Sequence, residues 1–156
     1  MKRQFSLLAV IVTVLVAGSL APAQSNPFVG TWKLNVAASK FDPGPAPQSQ
    51  MRTWDASGSV NITGVNAAGK SIGYSYMIKG DGKDYATGGA IPNGSDTIMS
   101  KKVNANSFLA TFMKAGKQVE STTFTVSPDG KTLIIDAKGV LPSGQNMHNE
   151  THWEKQ

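Results

Sequence analysis

Three stretches carry residue types and spacings that do chemistry in other proteins. The string "GVNAAGKS", residues 64–71, satisfies the phosphate-loop pattern G-x-x-x-x-G-K-[ST], and "TLIID", residues 132–136, imitates a second nucleotide motif. A phosphate loop must run from a buried strand into a helix whose N-terminal amides meet the phosphates. The segment after Ser71 alternates with period two and reads as strand, so the string is expected to be a hairpin turn and no nucleotide is expected. "NMHNETHWEK", residues 146–155, holds both histidines, His148 and His152, with Glu150 between them, which raises a metal or haem site. Residues four apart on a strand stand about 13 Å from one another at roughly 3.3 Å per residue. They cannot share one ion whose bonds are about 2 Å long. Met147, Thr151 and Trp153 form the opposite, more apolar face, so the histidines are expected to look outward and no metal site is expected.

Nucleophilic catalysis finds no foothold, because the chain has no cysteine and no G-x-S-x-G elbow. Most of its ten acidic residues stand beside turns and form no pair worth naming. No catalytic residue is assigned, and the chain reads as a non-enzyme. One acid differs. Glu120 falls on the Phe124 side of "ESTTFTVS", where burial would oblige it to find a partner.

The elements that must position these residues are strands. "NAAGK", "GDGK", "KAGK" and "SPDGK" recur as a turn signature in which glycine supplies the positive φ of a tight hairpin. Between them lie short segments rich in Val, Ile, Thr, Tyr and Phe. In "SIGYSYMIK" the residues Ile72, Tyr74, Tyr76 and Ile78 share a face, and in "KTLIIDAKGVL" Leu133, Ile135, Ala137 and Leu141 do. "SFLATFMK" is ambiguous, since Phe108 and Phe112 compete with Leu109 and Met113. Strands are predicted at 28–36, 50–55, 58–65, 70–79, 83–88, 95–103, 106–114, 117–127, 131–140 and 145–155. The fold class is all-β: an antiparallel up-and-down meander closed into an 8–10-stranded barrel, since closure hides the edges of so long a meander. The piece 37–50, with Pro43, Pro45 and Pro47, is predicted to be a loop across one end.

At the start, Lys2 and Arg3 precede an apolar run ending in Ala21-Pro22-Ala23, the pattern of a secretory signal peptide. Residues 1–23 are read as that signal and 24–156 as a single domain, exported to a periplasmic or extracellular location. The net charge of +5 includes Lys2 and Arg3, and the remaining lysines are scattered among turns rather than clustered, so no nucleic-acid partner is expected. An outer-membrane barrel needs an apolar outer band, whereas the outward sets here include Lys79, Asp136, Lys138 and Glu150. The mature chain is read as a monomer that is not embedded in a membrane.

Along "FVGTWKLNV" the residues Phe28, Gly30, Trp32, Leu34 and Val36 share one face, with a glycine beside an indole. This stretch resembles the G-x-W signature of the calycin superfamily, and "FVGTWKL" is especially similar to the start of the fatty-acid-binding proteins. The closing "HWEKQ" resembles the end of those barrels, and the whole chain looks most like the small exported bacterial lipocalin-like proteins. The resemblance implies a calycin-like barrel in which Trp32 plugs the floor and a basic residue of the last strand, by position Lys155, lies over its ring. Gly30 would let a neighbour approach closely. Two departures are visible: the Pro-rich piece stands where fatty-acid-binding proteins insert a helical pair, and their carboxylate-binding R-x-Y pair aligns with Thr151 and Trp153. The resemblance therefore does not carry over a fatty-acid ligand.

The function expected is binding of a small hydrophobic molecule in the barrel lumen, without a cofactor. The lumen candidates are Trp54, Tyr74, Tyr76, Phe112, Phe124, Thr151 and Trp153. One alternative is a protein-interaction module such as a protease inhibitor, working through the exposed "KFDPGPAP". Another is a haem-binding barrel like the nitrobindin-like proteins, with His148 or His152 as ligand.

Overall fold

The computed structural model describes residues 26–156, and the expected signal peptide at 1–23 lies outside them. Eleven strands run in order: β1 (Gly30–Asp42), β2 (Ser49–Trp54), β3 (Ser59–Val65), β4 (Ser71–Met77), β5 (Asp81–Ala86), β6 (Gly88–Gly89), β7 (Thr97–Asn104), β8 (Ser107–Lys114), β9 (Lys117–Val126), β10 (Thr132–Val140) and β11 (Asn146–Lys155). All belong to one antiparallel sheet ordered β5-β7-β8-β9-β10-β11-β1-β2-β3-β4-β6. The first and last ribbons meet, with Trp32 opposite Lys155 and Leu34 opposite Trp153. The seam is bridged by the stretch 81–89, whose first half pairs with β7 while Gly88 and Gly89 pair with Ser75 and Tyr74 of β4. The sheet is thus a nearly closed barrel, an antiparallel up-and-down meander, and no described residue is helical.

Turn chemistry explains the meander. At the β8–β9 hairpin Ala115 and Gly116 adopt φ of 48° and 74°, the paired positive values of a type I′ turn. The phosphate-loop-like string forms the β3–β4 hairpin, closed by Asn66 N to Lys70 O at 2.9 Å, and a strand comes after it rather than a helix. In β8 the ambiguity resolves toward Phe108, Ala110 and Phe112, which are buried, while Leu109 faces solvent.

Two boundaries differ from the expected ones. The piece 37–50 is not all loop, because β1 runs on to Asp42 and leaves only 43–48 between strands. A register shift against β11 between Asn35 and Lys40 makes this possible. The irregular backbone is stitched by side chains: Asn35 Oδ1 accepts from Ala38 N at 3.0 Å, and Ser39 Oγ donates to Asn35 O at 2.7 Å while accepting from His152 N at 3.0 Å. The predicted strand 83–88 divides into β5 and β6 because its ribbon changes partner at the seam.

The closed end is packed with aromatic rings. Phe28 lies 4.7 Å from the Trp54 ring and 4.9 Å from Phe108, centre to centre. Trp32 is fully buried, and its indole N–H donates to Phe28 O at 2.8 Å. Lys155 Nζ stands 5.0 Å from the centre of the Trp32 ring and donates to Pro27 O at 3.1 Å. The neighbour that Gly30 admits is this lysine's stem: a Cβ at Gly30, whose φ is +139°, would meet Lys155 Cε at 2.8 Å.

Candidate functional site

Toward the other end the barrel holds a cavity of about 540 Å³. Of the seven residues singled out from the sequence, six line it: Tyr74, Tyr76, Phe112, Phe124, Thr151 and Trp153. The seventh, Trp54, belongs instead to the aromatic packing of the closed end, with its ring 5.8 Å from Phe124. The reason is register, for Trp54 pairs with Gly30 at the start of β1, below the cavity. Phe41, Pro45 and Pro47 line the mouth, so the Pro-rich piece lies against the cavity. The segment 90–93 also lines the cavity, with Ile91 and Asn93 buried.

His148 and His152 do not line the cavity. Their Nε2 atoms meet Asp136 Oδ1 at 3.3 Å and Glu150 Oε1 at 3.2 Å on the opposite face of β11 from Met147, Thr151 and Trp153. Thr151 accepts the Trp153 indole N–H at 2.9 Å, which fixes the ring as part of the wall.

The residue that defines the site was not singled out from the sequence. Arg52 of β2 is 5% exposed and points into the cavity. Period-two alternation puts it on the same face as Trp54, and the cross-strand register sets it between Trp32 and Ile62. The signal was present in "QMRTW": if Trp54 faces inward, so does Arg52. Its guanidinium carbon lies 4.7 Å from the centre of the Trp153 ring, 5.7 Å from Tyr76 and 5.8 Å from Phe124. These faces suit a cation, since aromatic quadrupoles present negative charge to it. One guanidinium nitrogen donates to the Tyr76 hydroxyl. Nε is buried with no hydrogen-bond partner, and Arg52 forms no salt bridge among the described residues.

The acid that could have neutralised Arg52 is otherwise engaged. Glu120 of β9 is buried, as its period-two position allowed, and accepts from Thr122 Oγ1 at 2.5 Å and Asn93 Nδ2 at 2.8 Å. Burial pushes its carboxyl above the ordinary range, against the opposing pull of those two hydrogen bonds and the Arg52 charge. Burial likewise raises the Tyr74 and Tyr76 hydroxyls, while Arg52 pulls both back. Of the two phenols, Tyr76 accepts the Arg52 hydrogen bond. The arrangement is an apolar, aromatic chamber with one cation that has no salt-bridge partner among the described residues.

Fold and chamber together define an antiparallel β-barrel with an aromatic-lined internal cavity. In structure the chain is similar to the zebrafish ileal bile acid-binding protein complexed with cholic acid, with a TM-score of 0.50, 11% sequence identity, and 83% of this chain and 99% of that chain covered. No family model matches the sequence, nor does any curated protein.

Proposed function

We propose that the protein is an exported binding protein whose lumen takes a small apolar molecule ending in an anionic head, a carboxylate being the head that fits. Arg52 carries this reading. Holding a charge out of water costs several kcal/mol per ion unless an opposite charge and hydrogen bonds compensate it. The chain supplies Arg52 with aromatic faces and one phenol, and leaves Nε without a partner. A bound carboxylate would supply the missing charge and accept a forked pair of N–H groups. The arginine expected on the last strand of a fatty-acid-binding protein is thus replaced, in this proposal, by one from β2.

The volume supports the same reading, because small-molecule sites span roughly 300–1,000 Å³. So does the neighbouring fold, which was crystallised with cholic acid, itself a carboxylic acid. Export rests on residues 1–23, whose charged start, apolar run and small-residue end are the features a signal peptidase reads. N-terminal sequencing of the secreted protein should begin at Gln24, and an intact Met1 would remove export from the proposal.

The ligand reading is tested by calorimetric titration with palmitate and with hexadecane or hexadecanol as uncharged controls. Palmitate should bind and the controls should bind more weakly. Equal binding of all three would refute the anionic head, and binding of none would refute the lumen as a lipid site.

A further inference from the structure

The chamber holds two buried groups of opposite formal charge that do not pair, and the carboxylate reading uses only Arg52. We infer that an anionic ligand enters together with a proton that Glu120 receives, so that the barrel loads in acidic surroundings and releases its ligand in alkaline ones. This rests on the reading of Arg52 as the carboxylate site.

The cavity wall links the two groups. Phe112 stands opposite Glu120 across β8 and β9, its ring lies 5.3 Å from that of Tyr76, and Tyr76 accepts from the Arg52 guanidinium. Arg52 and Glu120 form no salt bridge, so an anion reaches Arg52 without displacing the acid. The Arg52 charge nevertheless acts on the Glu120 carboxyl, and both charges act on the phenols of Tyr74 and Tyr76 on β4. The other groups around Glu120 are Thr122 on its own strand, Asn93 from the segment 90–93, and Gly139 opposite it on β10. The hydrogen bonds that hold the acid suit both of its protonation states. Asn93 Nδ2 donates to Oε2 at 2.8 Å in either state, and Thr122 Oγ1, which donates to Oε1 at 2.5 Å, can accept from a protonated oxygen by turning its hydroxyl. Asn93 is in turn fixed by Ser95 N, which donates to its Oδ1 at 2.9 Å.

A carboxylate bound at Arg52 changes the balance between those states. It cancels the cation that favours the Glu120 anion, and it adds a second anion to a poorly hydrated space, where like charges repel. Burial already disfavours the ionised acid. Each effect moves Glu120 toward its protonated form. The net reaction takes the ligand anion and a proton from solvent, and gives a bound anion at Arg52 with a neutral Glu120. By linkage, affinity rises as pH falls through the interval between the Glu120 values without and with ligand.

The test titrates octanoate, short enough to stay monomeric, into the mature protein calorimetrically. Pairs of buffers that differ in ionisation enthalpy are used from about pH 8 down to about pH 5.5, where the free acid is still ionised. The buffer dependence of the heat counts the protons bound with the ligand. Uptake should approach about one proton per octanoate within that range, and affinity should rise by up to about tenfold for each pH unit, the limit that a single linked proton allows. Glu120→Gln should bind octanoate with no proton uptake and with an affinity that stays level over the same range. Should Glu120→Gln not fold, the Glu120 carboxyl carbon in the wild-type NMR spectrum should titrate at higher pH with octanoate bound than without it. Octanoate bound with no proton uptake at any of these pH values overturns the inference and leaves the carboxylate site standing. A proton taken up by His148 or His152, which lie outside the cavity, would persist in Glu120→Gln. Such persistence, or a Glu120 carboxyl that titrates alike with and without octanoate, overturns the assignment to Glu120. If neither octanoate nor palmitate binds, both readings fall.

Discussion

At the closed end of the barrel, Phe28, Trp54 and Phe108 meet ring against ring and Trp32 has its only polar atom satisfied by Phe28 O. Toward the cavity, Arg52 of β2 and Glu120 of β9 are buried beside rings of the same kinds, yet Arg52 Nε has no hydrogen-bond partner and the space between the walls stays open. Register alone separates the two regions: Trp54 and Arg52 are successive inward residues of β2, and one seals the floor while the other enters the chamber. The same alternation therefore builds a region that stabilises the fold and a region that spends stability on a site. Mutations should divide accordingly.

Trp32→Ala should have the largest effect, a loss of about 3–5 kcal/mol of stability, as for large aromatic deletions in a core. Denaturant unfolding measures it, and a midpoint close to wild type would mean the floor does not hold the barrel together. Arg52→Met should do the opposite. Palmitate affinity should fall about 10- to 100-fold, the worth of hydrogen bonds to a charged group, while the ligand-free protein melts no lower than wild type because a charge without an acidic partner has left the interior. Lost stability with unchanged affinity would place Arg52 with the floor instead.

The third effect is in pH dependence. Burial raises the Glu120 carboxyl above its ordinary 4.5, in a setting that also includes Arg52, Tyr74 and Tyr76. The folded state then holds the proton more tightly than the unfolded state, so the contribution to stability is full below the ordinary value and declines as pH rises through the raised one. Urea midpoints of the wild type should fall relative to Glu120→Gln across that window, and a relative rise would contradict the assignment. Lys155→Ala should matter least. It removes an exposed cation from the Trp32 face, about 0.5–1 kcal/mol, and should leave ligand affinity unaltered.

The strands and turns were legible because they depend on local rules. Alternation in "SIGYSYMIK" put Tyr74 and Tyr76 on one face, and both line the cavity. The extension of β1 to Asp42 was not legible, since it depends on Asn35 and Ser39 stitching a bulge against a strand more than a hundred residues away. Nor was the depth of Trp54, because alternation gives the face of a residue and not its height in the barrel. Arg52 was missed for another reason. An arginine on a strand is usually solvated, and only the Trp54 partner two residues on argued that this one is not.

The most direct test of a chamber organised around a buried cation is an NMR titration of bound palmitate isotope-labelled at its carboxyl carbon. The account predicts a bound carboxyl resonance that remains ionised at pH values where the free acid takes up its proton, and that loses this resistance in Arg52→Met. A bound resonance that titrates like the free acid in both proteins would contradict it, and would place the head group away from Arg52.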